Sequence, residues 1–151
     1  MKVGEICTRE VRVIEPGLAL AAAARAMCQH HIGALLVVEP GDVKRRPIGI
    51  LTDRDILLGQ LARSADLFCL TVGDVMTRNP LAVHADMSVQ SAIQTLNAQS
   101  VRRAPVLDRE GALVGIVTLD DLLPVVCREL AAIGALLDSQ ARKERETDSS
   151  R

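Results

Sequence analysis

The phrase GILTDRD, Gly49 to Asp55, returns as GIVTLDD, Gly115 to Asp121, and this repetition constrains the fold more than any other feature. Sliding the sequence by 69 residues lays GEICTR (Gly4 to Arg9) on GDVMTR (Gly73 to Arg78) and keeps ALLVVE (Ala34 to Glu39) against APVLD (Ala104 to Asp108) without a gap. The register slips once, to an offset of 66, because the first copy carries three more residues in its loop, PGDVKRR before PIG, than the second has in REGA before LVG. Insertions are tolerated best in loops, so the slip supports the alignment. A chain of 151 residues written twice is two units. Each is too small to bury both faces of a sheet alone, so the stable object is the two packed together.

Each copy reads as β-α-β-β-α. A short extended piece (Val11 to Ile14, Leu81 to Val83) precedes an amphipathic helix over Leu18 to His30 or Ser88 to Gln99, with apolar spacing such as Val89, Ala92, Ile93 and Leu96. Two β-branched strands follow, ALLVV and PIGILT against APVL and LVGIVT, each pair joined by a Gly-containing turn. A second helix starts at Thr52 or Thr118. The expected division is a first repeat over 1–61, a connector over 62–71, a second repeat over 72–126 and a C-terminal helical extension with a charged tail over 127–151. The connector carries Phe68, the lone aromatic, expected to pack. Pro124 is expected to kink the last helix, and ARKERETDSSR, which lacks an apolar period, is expected to fray.

Composition narrows the function. A formal charge of −1 offers no broad field for nucleic acid, and one aromatic cannot build the stacking platform that single strands need. Cys7, Cys28, Cys69 and Cys127 stand far apart without a C-x-x-C spacing, and MKVGEICTRE has no apolar signal core, which together predict a cytoplasmic chain with reduced thiols. The longest apolar stretch, LALAAAARAMC, is interrupted by Arg25 and too short to span a bilayer.

Read locally, T-x-x-D at the end of a strand is a helix capping box: the hydroxyl accepts from an early helical N–H and the acid reaches back to the threonine amide. In the doubled G-h-h-T-x-x-D phrase, the β-α-β-β-α plan and the GDVMT that opens a copy, the chain resembles a tandem pair of CBS domains, named after cystathionine beta-synthase, over roughly Gly4 to Leu123. The resemblance implies an α+β module of two repeats paired through their sheets, with two clefts that commonly hold adenosine-containing ligands, and association into dimers. It implies a regulatory ligand such as AMP, ADP or ATP rather than a required cofactor, and an effector protein that responds to occupancy.

The residues suit such a ligand. Thr52 and Thr118 lie where unpaired helical N–H groups and the helix dipole favour a phosphate, Asp55 and Asp121 each have two oxygens to offer a ribose cis-diol, and Arg54 can reach a phosphate. Without aromatics, adenine would be read by main-chain groups near Val13 and Val83 and near Ala34, Leu35, Ala104 and Pro105, under aliphatic cover from Ile50, Ile116 and Val117. Gly49 and Gly115 would let backbone pass close to a ligand or to the sister strand. The copies are unequal, since Asp120 stands where the first has Arg54 and would repel a phosphate; Arg102 and Arg103 are placed to compensate beside Thr118.

Other constellations carry less. His30 and His31 are adjacent at a helix C-terminus, point in different directions and make a poor metal pair. KRR, Lys44 to Arg46, reads as a solvated run or a contact for phosphate or an acidic partner. The acids Asp53, Asp55, Asp120 and Asp121 lack an accompanying Walker glycine loop, G-x-S-x-G or H-E-x-x-H, so no enzyme is expected. The rival to a ligand sensor is an interaction module in which T-x-x-D is only a cap and the helix from Leu119 to about Gln140 dimerises or docks a partner.

Overall fold

A computed structural model describes residues 1–63 and 66–148, with side chains through 145. Residues 64 and 65 of the expected connector and 149–151 of the expected tail lie outside the described residues. The first copy supplies α1 (Val3–Ile6), β1 (Val13–Ile14), α2 (Leu20–His30), β2 (Ala34–Val38), β3 (Pro47–Thr52) and α3 (Asp53–Arg63). The second supplies α4 (Val72–Val75), β4 (Thr77–Arg78), β5 (Val83–His84), α5 (Val89–Ala98), β6 (Arg103–Leu107), β7 (Leu113–Thr118) and α6 (Leu119–Asp148). In both copies a parallel pair (β1 with β2, β5 with β6) adjoins an antiparallel hairpin (β2 with β3, β6 with β7).

The copies exchange their leading segments. β4 pairs with β3, setting Thr77 opposite Ile50, while Thr8 bridges Ile116 with hydrogen bonds of 2.9 Å in both directions. The short helices trade places likewise. Val3 N donates to Met87 O and Gly4 N to Ala85 O, whereas Val72 N donates to Leu18 O and Gly73 N to Pro16 O. Each hydrophobic core is therefore finished by the other copy: Leu70, Val72 and Met76 complete the core of Leu20, Met27, Leu35, Val37 and Leu51. Val3 and Cys7 complete that of Val83, Leu96, Ala104, Val106 and Val117. Burial among these side chains pushes the Cys7 thiol up from its ordinary value. Gly49 and Gly115 serve this exchange. A Cβ at Gly49 would collide with Met76 Sδ, and one at Gly115 would sit 2.6 Å from Thr8 O.

Two local expectations are corrected. Phe68 is 69% exposed, because the turn held by Phe68 N to Asp66 Oδ1 and Cys69 N to Asp66 O spends its inward positions on Leu67 and Leu70. α6 continues to Asp148 through the segment expected to fray, where Ala, Arg, Lys and Glu are strong helix formers. Pro124 lies within α6 without interrupting it.

Candidate functional site

Strand alternation decides which side chains face the groove between the halves. In the first sheet Leu35, Val37 and Leu51 point to the helix-covered core, so Leu36 and Ile50, their neighbours and each other's ladder partners, point the other way. Leu36 and Ile50 are nevertheless buried. The second half covers them, as contacts at both ends show: Leu113 N donates to Lys44 O at 3.0 Å, and Arg103 approaches Gly33. By the same alternation Arg103, Pro105, Ile116 and Thr118 face this groove from the second sheet.

This sorts the expected adenine-reading residues. Val13, partner of Leu36, and Ala34, Ile50, Pro105 and Ile116 face the groove. Leu35, Ala104 and Val83 belong to the helix-covered cores, leaving only their main-chain groups to the groove. Val117 is fully buried in the second core and gives the groove no cover. Val83 is also the counterpart of Ile14 rather than of Val13, since Val83 pairs with Val106 as Ile14 pairs with Val37; a shift of one residue reverses the face. Leu36, Thr8 and Thr77 were missed. Period-two alternation would have exposed Leu36, whereas Thr8 and Thr77 enter only through the exchange.

At the strand–helix junctions the capping boxes are closed. Thr52 Oγ1 donates to Asp55 Oδ2 at 2.7 Å, Thr52 N donates to the same oxygen at 2.8 Å, and Asp55 N donates to Thr52 Oγ1 at 3.2 Å. Thr118 Oγ1 and N both donate to Asp121 Oδ2 at 2.8 Å. A third box, unforeseen, joins Thr71 and Asp74, with Thr71 Oγ1 to Asp74 Oδ2 at 2.7 Å and Thr71 N to the same oxygen at 2.9 Å. These bonds hold the exposed Asp74 carboxyl below its ordinary value. The Thr71 box opens α4, away from both junctions, so the motif caps helices independently of any groove. It also restricts the expected chemistry: the hydroxyl protons of Thr52 and Thr118 go to the aspartates, and Oδ1 alone of Asp55 and of Asp121 is without a partner among the described residues.

The arginines divide unequally. Arg103 is the first residue of β6, opposite Thr118, at the position Ala34 holds opposite Thr52. A Cβ added at Gly33 would lie 3.3 Å from Asp53 Oδ2 and 3.8 Å from Arg103 Nη1, so Arg103 crosses to the first half. Arg102 is exposed just before β6. Neither the Arg103 nor the Arg54 guanidinium has a hydrogen bond or ion pair among the described residues. The KRR run is engaged within the chain: Lys44 pairs with Glu110 at 3.1 Å, Arg46 with Asp42 at 3.0 Å, and Arg45 donates to Val11 O at 3.0 Å. His31 caps α2 in the left-handed conformation, and no cluster of three or more His, Cys, Asp or Glu suited to a metal occurs among the described residues. No helix among them is long and apolar enough to cross a membrane.

The sequence profile of the CBS domain matches residues 3–61 and 72–128. CBS domain-containing protein YhcV of Bacillus subtilis is 38% identical over 120 residues, which cover 80% of this chain and 81% of that protein. An uncharacterized protein of Methanopyrus kandleri is 32% identical over 125 residues, and there the match spans 83% of this chain but 62% of the relative. Among solved structures, CBSX2 of Arabidopsis thaliana in complex with AMP aligns with a TM-score of 0.69 at 25% identity, covering 84% of this chain and 96% of that one. The CBS domain pair of protein MJ0100, in complex with 5-methylthioadenosine and S-adenosylmethionine, aligns at 0.71 with 25% identity, covering 83% and 99%.

Proposed function

The chain belongs to the CBS domain family, and on that premise we propose that it is a regulatory, non-catalytic module that binds an adenosine nucleotide in the groove between its halves and reports occupancy to a partner protein. One observation carries this reading. The second half delivers the unpaired Arg103 guanidinium beside Gly33 and Asp53 of the first, next to the α3 N-terminus and the unpaired Arg54. Two unpaired guanidinium groups beside a helix N-terminus suit a phosphate. The aliphatic face of Val13, which is part-exposed, suits an adenine held without stacking. Asp55 Oδ1 remains for ribose. The AMP and S-adenosylmethionine complexes of the similar structures support the ligand class. Occupancy signals only if the nucleotide binds two arrangements of the halves with different affinity.

Calorimetric titration with AMP, ADP, ATP, adenosine and S-adenosylmethionine tests the proposal, alongside thermal unfolding. A nucleotide at 100 times its Kd raises stability by about 2.7 kcal/mol, and Asp55→Ala reduces the affinity. No heat and no stabilisation from any of the five would refute it. The closed capping boxes favour the second reading, an interaction module without a small ligand, which that result would leave standing.

A further inference from the structure

The helix α6 leaves the fold well before it ends. Its last core residue is Val125, and all 19 residues from Cys127 to Arg145 are exposed, a projection of about 28 Å. A free helix of this length is marginal in water, and helices in proteins are held mostly by packing an apolar face. This one has such a face and, among the described residues, nothing of its own chain set against it. Leu130, Ile133, Leu136 and Leu137 are 62%, 57%, 59% and 60% exposed. Their order is that of a heptad: Leu123, Leu130 and Leu137 recur every seven residues, with Val126 and Ile133 three residues after the first two. A stripe repeating every 3.5 residues is a coiled-coil seam, narrower than the face with which a helix lies on a globular core.

The residues on and beside the seam select its occupant. Parallel pairs favour β-branched residues at the first core position and Leu at the second, and α6 has the reverse, Leu then Val or Ile. A parallel pair would also set Glu144 against its own copy at a core position. Turning the second helix round removes both conflicts. Ile133 then meets the partner's Leu137, Leu130 meets the partner's Gln140, and Leu136 meets its own copy near the two-fold axis. Gly134, around which no atom lies within 4 Å of an added Cβ, also comes to that axis and lets the backbones approach. On the flank Glu129 meets the partner's Lys143, twice by symmetry.

We propose that residues 129–143 of α6 form an antiparallel two-stranded coiled coil with the same segment of a second copy. The interface is separate from the nucleotide groove and stands or falls independently of it.

Sedimentation equilibrium of the full chain without nucleotide is the test. A monomer–dimer equilibrium is expected, and Ile133→Glu combined with Leu137→Glu shifts it to monomer while leaving the thermal transition of the body in place, since both positions are exposed in one chain. Glu129→Lys or Lys143→Glu alone weakens association about 2- to 30-fold, the range for two exposed ion pairs, and the two together restore it. Restoration is particular to the antiparallel register, because a parallel pair holds these positions about 21 Å apart. A chain that stays monomeric at all concentrations, a dimer that survives the paired glutamates, a four-chain mass, or a double charge exchange without recovery would each overturn the proposal.

Discussion

The two halves share a backbone plan and differ in what that plan presents to the groove. At one position the first half has Ala34 and the second Arg103; at another the first has Arg54 and the second Asp120. Both differences place positive charge in the first half, because Arg103 crosses to Gly33 and Asp53 while Asp120 leaves the Thr118 end acidic. Duplication preserved the strand–helix junctions and their caps. The electrostatics at the two junctions became unequal, so the halves should not be expected to hold the same ligand, or to hold one equally well.

The exchange of leading segments gives the largest expected contrast. Ala at position 115 would press a methyl against the Thr8 carbonyl, a backbone atom that cannot turn aside, whereas Ala at position 49 meets chiefly the flexible end of Met76. Gly115→Ala is expected to cost about 3 kcal/mol and Gly49→Ala nearer 1 kcal/mol, read from urea unfolding midpoints. Equal losses would show that both exchanged segments yield alike. Next, Arg103→Ala should weaken a phosphate-bearing adenosine about 10- to 100-fold, the value of a hydrogen bond to a charged group. Asp120→Ala should leave binding unchanged or tighten it. The reverse order in calorimetry would move the phosphate to the second half.

Smaller effects separate capping from binding. Thr52→Ala and Thr118→Ala should each cost about 1 kcal/mol of stability. Thr52→Ala should be the costlier, since Asp55 N also donates to the Thr52 hydroxyl. The smallest effect is that of Asp74, in the box remote from both junctions. Its folded pKa lies below the unfolded value, so the stability it contributes is present above about pH 4 and is lost as pH falls through the folded value. Asp74→Asn should therefore lower thermal stability at pH 7, with the gap to the parent chain closing below about pH 4. A gap independent of pH would assign the loss to something other than the carboxylate's charge.

Much of this architecture was legible in the chain. The repeat, its single slip and the change from helical to strand period follow from local spacing, and so do the caps, because T-x-x-D satisfies backbone donors three residues away. The third box at Thr71 was equally legible in TVGD and was passed over only because it lies outside the repeated phrase. Face assignments were less secure. Val117, expected as aliphatic cover, lies in the core, and one residue of register turns a side chain from groove to core.

The amino-acid sequence by itself determined that two similar β-α-β-β-α units would form, where the T-x-x-D caps would close, and which seam α6 would carry, since these depend on residues within a few positions of one another. Tertiary structure alone decided that each half would finish the other's core, that Gly49 and Gly115 would be needed for that crossing, and that the Arg103 side chain would lie near Gly33 of the first half. Those outcomes depend on contacts between residues far apart in the chain, 27 positions between Gly49 and Met76 and 107 between Gly115 and Thr8. Their partners are chosen by burial and close packing, which no local pattern records.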